Sequence, residues 1–165
     1  MSQMEEIKNV PKGTINRLKK KYQIALRRFV FGKAPSCQMR EFVGLDHFQL
    51  KEHLSSMMRP GMNWNNYGDV WVISHVLQLS FFDITDEKEC RLAWNYRNLM
   101  PLFEKDIPMK EHDVGLPALI FNKSPDSEIV IELRKRANDE IEKIKERLKY
   151  YHGPDFEFDG GFVSV

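Results

Sequence analysis

The sequence predicts a mainly helical α+β domain, with a basic helix ahead of it and a long charged helix after it. Three observations predict this. "TINRLKKKYQIALRRFVF" (14–31) repeats apolar residues at helical spacing, as does a stripe over 137–151, whereas the short run "VWVISHVLQLS" (70–80) suits a strand. At 165 residues the chain favours one domain.

In the first helix Ile15, Leu18, Tyr22, Ala25, Leu26 and Phe29 form the apolar face, and Thr14 is placed to cap the start. Arg17, Lys19, Lys20, Lys21, Arg27 and Arg28 fill the remaining surface. "GKAPSCQ" (32–38) stops the helix through its Gly and Pro. A second, short helix runs through "DHFQLKEHLSSMM" with Asp46 as its cap, and "RPGMNWNNYGD" (59–69) reads as loop. After the strand, "DEKECRLAWNYRNL" reads as helix, "MPLFEKDIP" as a turn and "HDVGLPALIFNKSP" as mostly irregular. Ser124-Pro125 followed by Asp126 and Glu128 marks a helix start, and that helix extends to about Tyr151. Its stripe of Ala137, Ile141, Ile144, Leu148 and Tyr151 suits either its own core or a partner helix, a second copy of the chain included. "HGPDFEFDGGFVSV" closes the chain as an acidic, aromatic tail.

Charge is divided unevenly. Residues 1–60 hold 12 Lys/Arg against 5 Asp/Glu, and residues 61–165 hold 13 against 19. The basic first part, with Lys19, Lys20, Lys21, Arg27, Arg28 and Arg40, suits a phosphate backbone or a solvated helix face. No run approaches the ~18 apolar residues of a membrane helix, so no membrane partner is expected. The N-terminus lacks a signal peptide's apolar core. The two cysteines, Cys37 and Cys90, form no C-x-x-C pair and no disulfide framework, which points to a reducing cytoplasm. No glycine-rich phosphate loop and no Ser-His-Asp order is present. His47 and His53 are six residues apart, not a metal-ligating i, i+4 pair. Trp64, Tyr67, Trp71, Trp94 and Tyr96 offer rings for base stacking, as in single-strand binders.

Several segments in order carry a resemblance. "FVGLDHFQLKEHLSSMMRPGMNWNNYG" is close to a "G-x-x-x-x-x-L-x-x-H-L" helix followed by "P-G-M-x-W-x-N-Y-G". The strand then ends in a histidine before "LS", and "NYRNLMPLFEKD" is similar to "N-L-Q-P-L-x-x-x-D-N". Together, over roughly residues 14–113, the chain resembles the bacteriophage-type HNH endonucleases of the ββα-metal, or His-Me finger, group. The resemblance implies a ββα-metal finger and divides the chain into a basic helical arm (1–44), a degenerate HNH-like domain (45–115), a linker with the long C-terminal helix (116–151) and the tail (152–165).

The resemblance also assigns roles, and the family-like placement of Trp64, Tyr67, Trp71, Trp94 and Tyr96 implies core packing rather than base stacking. The family strand reads "W-H-I-D-H-I-I-P-L-S"; here it is Trp71-Val72-Ile73-Ser74-His75-Val76-Leu77-Gln78-Leu79-Ser80. His75 stands at the general-base position and Asn98 at the position that pins the loop between the strands. Ser74 and Ile107 occupy the two metal-ligand positions. A serine hydroxyl poorly replaces a carboxylate on a hard cation, and isoleucine offers no ligand. The expectation is therefore a phage-encoded, catalytically inactive HNH-like protein in the bacterial cytoplasm, without a cofactor. It would bind DNA, or a host protein acting on nucleic acid, as a regulator or inhibitor, with Ile141, Ile144, Leu148 and Tyr151 as partner-binding candidates. The alternative is a nicking endonuclease that uses Mg²⁺ or Mn²⁺, with His75 as base and a metal site rearranged onto Glu104, Asp106, His112 or Asp113.

Overall fold

The computed structural model describes residues 10–33, 37–110 and 116–155. The described chain is a mainly helical α+β fold with a two-stranded antiparallel sheet.

Helix α1 spans Lys12–Val30, and Pro11 rather than Thr14 stands at its cap. Thr14 already lies in the first turn, its amide donating to the Pro11 carbonyl at 2.9 Å. Proline's preset φ suits a helix entry without a side-chain cap. Tyr22, Leu26, Phe29 and Val30 are its buried residues. Gly32 ends the helix at φ +67, and a Cβ there would sit 3.2 Å from His47. Helix α2, Cys37–Val43, lies where the sequence suggested only a break, and it buries Met39, Phe42 and Val43.

Helix α3, His47–Ser56, begins as expected at Asp46. Asp46 and Gln49 form a reciprocal capping box, with bonds of 2.8 and 3.1 Å. The loop after it is held by side chains. Asn63 caps the short 3-10 turn Trp64–Asn66, and the Trp71 indole donates to the Asn63 carbonyl at 2.6 Å.

Strand β1, Trp71–His75, pairs with β2, Leu99–Phe103. Ile73 faces Pro101, Ser74 faces Met100 and His75 faces Leu99. The second strand corrects the reading of "MPLFEKDIP" as a turn. β2 carries Pro101, and in a two-stranded sheet both strands are edges, where proline is tolerated. Between them the chain forms helix α4, Glu87–Ala93, capped by Asp86. This helix stops well before Leu99, and a 3-10 turn at Tyr96–Asn98 leads into β2. The short helix α5, Ile107–Lys110, follows β2.

Helix α6, Leu116–Lys123, replaces the irregular segment expected there; its proline falls in the first turn, where no intrahelical donor is lost. Helix α7, Glu128–His152, starts later than Ser124-Pro125 suggested. Ser127 is the cap, accepting from the Val130 amide at 3.2 Å. One hydrophobic cluster runs from Tyr22 of α1 through Leu50, Val76, Trp94 and Leu99 to Phe121, Leu133 and Ile141, so all three larger sequence segments contribute to it. Among the described residues no helix is long and apolar enough to cross a membrane.

Candidate nucleic-acid interface

β1 delivers His75 to the end of the sheet, where it is 8% exposed. Its ring meets the fully buried Trp94 edge to face, with centroids 5.3 Å apart and planes at 86°. The chain after His75 is clamped by one residue, Asn98, itself completely buried. The Val76 amide donates to the Asn98 backbone carbonyl and the Leu77 amide to the Asn98 Oδ1, each at 2.7 Å. The Asn98 Nδ2 donates to the carbonyls of Leu77 at 3.2 Å and Ala93 at 2.9 Å. Every polar atom of this amide is thus spent on holding the turn beyond His75 against the end of α4.

Two adjoining clefts lie between α1 and β1. The first, of about 240 Å³, is lined by Ser74, His75, Gln78, Ser80 and Ile107, with Lys19 and Gln23 from α1. The second, of about 370 Å³, places Lys20, Ile24 and Arg27 of α1 opposite Tyr67, Val72 and Ile73. Gln23 and His75 border both. The three positions that the sequence comparison singled out on β1 and α5 therefore converge on one cleft, below the basic helix.

Among the described residues, no aspartate or glutamate lines either cleft. Ser74 offers a neutral hydroxyl, His75 an imidazole and Ile107 only hydrocarbon, a donor set that does not fit a hard divalent cation. Among the described residues, no group of three or more His, Cys, Asp or Glu could hold a metal ion. Glu104 and Asp106, two of the carboxylates considered for a rearranged site, lie elsewhere. Asp106 pairs with Arg59 at 3.3 Å, and Glu104 lines a separate cleft with Asp69 and Phe103. His112 and Asp113 fall outside the described residues.

The six basic residues do not form one surface. Lys19, Lys20 and Arg27 line the clefts. Lys21 and Arg28 come one residue after Lys20 and Arg27, about 100° further round α1, and the Lys21 ammonium lies over the Tyr22 ring at 5.8 Å. Arg40 is exposed on α2. Gln23, absent from the sequence-based set, shares their face by four-residue spacing from both Lys19 and Arg27, a signal already visible in the helix period. Tyr67 was assigned to packing with the other aromatics. Trp71 and Trp94 are indeed fully buried, yet Tyr67 also walls the second cleft. The Arg27 guanidinium sits 5.5 Å from its ring centroid. Burial raises the Tyr67 phenol pKa above 10.0, opposed by the Arg27 charge.

The partner-binding candidates on α7 divide. Ile141 is completely buried in the core and offers nothing to a second molecule. Ile144 and Leu148 are half-buried, and Tyr151 is 77% exposed. His47 stacks on Phe48 at 4.1 Å, and His53 meets Tyr96 at 5.1 Å.

No family model matches the sequence. No solved structure matches it. Two proteins of Acanthamoeba polyphaga mimivirus are similar. Uncharacterized protein L426 is 30% identical over 105 residues, which is 62% of this chain and 44% of that protein. Uncharacterized protein L246 is 31% identical over 74 residues, 45% of this chain and 32% of that protein. The chain thus spans less than half the length of either relative, and both relatives are viral.

Proposed function

We propose that this is a virus-encoded, HNH-like protein that binds DNA through its phosphates and does not cleave it. The observation that carries the reading is the composition of the two clefts. Lys19, Lys20 and Arg27 meet His75, Ser74 and Ile107 there without a carboxylate among the described lining side chains. A cation-lined, carboxylate-free groove attracts phosphate and repels nothing on it.

The same composition argues against hydrolysis. Without the charge of a bound metal, several kcal/mol of transition-state stabilisation are forgone. A histidine base alone supplies only ~10²–10⁴-fold, too little for a phosphodiester. On this reading His75 is kept as a packed residue against Trp94 and as part of the groove floor. The Mg²⁺- or Mn²⁺-dependent nicking alternative requires carboxylates to reach His75, and Asp106 is engaged by Arg59 instead. Binding to a host protein acting on nucleic acid is the other alternative; the half-buried Ile144 and Leu148 with exposed Tyr151 are what remains of its sequence-predicted surface. The viral relatives support a viral source.

Supercoiled plasmid tests the reading directly. The natural protein is expected to retard the plasmid without nicking it in Mg²⁺ or Mn²⁺, and to release it as salt rises. Ser74→Asp/Ile107→Asn restores candidate ligands and is expected to gain some nicking. Nicking by the natural protein that is lost in His75→Ala would overturn the proposal in favour of the endonuclease.

A further inference from the structure

We propose that the second cleft, between α1 and β1, is a slot for an unpaired nucleobase, so that the protein prefers single-stranded over duplex DNA. The inference rests on the phosphate-binding reading above and adds to it the form of nucleic acid bound. The two clefts differ in size and chemistry. The first, of about 240 Å³, has Leu79, Leu102 and Ile107 in its lining but also hydroxyl, amide and ammonium groups from Ser74, Ser80, Gln78 and Lys19, and suits a phosphate. The second, of about 370 Å³, reaches the lower end of the range typical of small-ligand pockets. Its walls are largely apolar: Ile24 on one side, 48% exposed at the rim, and Val72, Ile73 and the Tyr67 ring on the other.

Lys20 and Arg27 stand over this apolar slot. Arg27 lies against Tyr67 at 5.5 Å from the ring centroid, which makes a planar cation backed by an aromatic ring. Flat π-faced groups flanked by a negative backbone match such a site, as in proteins that stack bases of single strands. Gln23 and His75 belong to both clefts, so a phosphate in one and its neighbouring base in the other require no gap in the chain. In a duplex the faces of the bases are stacked on one another, and a base enters a side pocket only at the cost of unstacking and unpairing.

Fluorescence anisotropy with three labelled 12-nucleotide DNA probes tests this: a pyrimidine single strand, the same strand annealed to its complement, and an abasic strand of equal length and charge. The single strand is expected to bind about 5-fold or more tighter than the abasic strand, the low end of what stacking one base contributes. It should also bind tighter than the duplex. Ile24→Ser, at an exposed position outside the core, should erase the advantage over the abasic strand, whereas Lys19→Ala should weaken both strands alike. Equal affinity for the single and abasic strands, unchanged in Ile24→Ser, would overturn the base slot while leaving phosphate binding intact. Failure to bind any of the three probes would overturn both readings together.

Discussion

Asn98 shows how one side chain sets the geometry around a candidate site. Its amide holds the Leu77 N–H and carbonyl and the Ala93 carbonyl, all in a dry interior. Asn98→Ala would strand those three backbone groups, and leaving a buried polar group unpaired is costly. The expected loss is about 2–3 kcal/mol, read as a lower urea midpoint; a loss under ~1 kcal/mol would mean that the turn after His75 is held by other contacts. His53 carries a pH prediction. Burial, first, and the nearby Arg97 charge lower its pKa below 6.5, against backbone hydrogen bonds with Leu99 and Tyr96 that raise it. The folded state therefore favours the neutral ring. Its contribution to stability is full above pH 6.5 and is lost as pH falls through the lowered folded value. The melting temperature should fall as pH drops below 6.5, and His53→Gln should flatten that slope. An unchanged slope in the variant would assign it to other groups.

At the scale of elements, α7 is fastened by two arginines rather than by its apolar stripe alone. Arg134 donates to the carbonyls of Phe121 at 2.9 Å and Ser124 at 2.8 Å, satisfying the otherwise open C-terminal end of α6. Arg136 reaches α4, where it forms a two-pronged pair with Glu89 at 2.8 and 2.6 Å. Both partners are less than a quarter exposed, at 23% and 21%, so solvent screens this pair less than an open surface bridge. A double-mutant cycle on Arg136→Ala and Glu89→Gln should give a coupling of about 1–2 kcal/mol, since both bonds are charge-assisted. A coupling near zero would mean that the Arg136–Glu89 pair adds nothing, leaving α7 docked by Arg134 and by Val130, Leu133, Ala137 and Ile141. Helix α7 itself was legible in sequence because its apolar residues recur every three or four positions. Its true cap, Ser127, was not distinguished from Ser124, because both are good caps and only the path of the chain out of α6 chooses between them. Strand β2 was implied by the ββα resemblance but missed in the residue pattern: five residues containing a proline have no local signal, and their pairing partner lies more than twenty residues away.

For the whole molecule, the balance of +1 says little, while the distribution says more. If Lys19, Lys20 and Arg27 are the phosphate contacts, the logarithm of the duplex-DNA binding constant should fall with the logarithm of salt at a slope of about −3. Lys20→Ala should reduce that slope by about 1, and Lys21→Ala or Arg40→Ala, placed away from the clefts, should leave it nearly unchanged. Loss of slope spread evenly over all six basic residues would count against the cleft as the binding surface. The chain's own pattern determined the mainly helical class, the basic α1 and the Asp46 cap, because helix period and capping chemistry act over a few neighbouring residues. The grouping of His75, Ser74, Asn98 and Ile107 came from the resemblance to a known family, not from local pattern. Only the tertiary structure decided which three of six cations face that group, that Ile141 belongs to the core, and that Gln23 and Tyr67 wall the clefts. Those facts depend on how α1 is rotated over β1 and how α7 lies on α6, and such orientations are set by the shared packing of residues far apart in sequence.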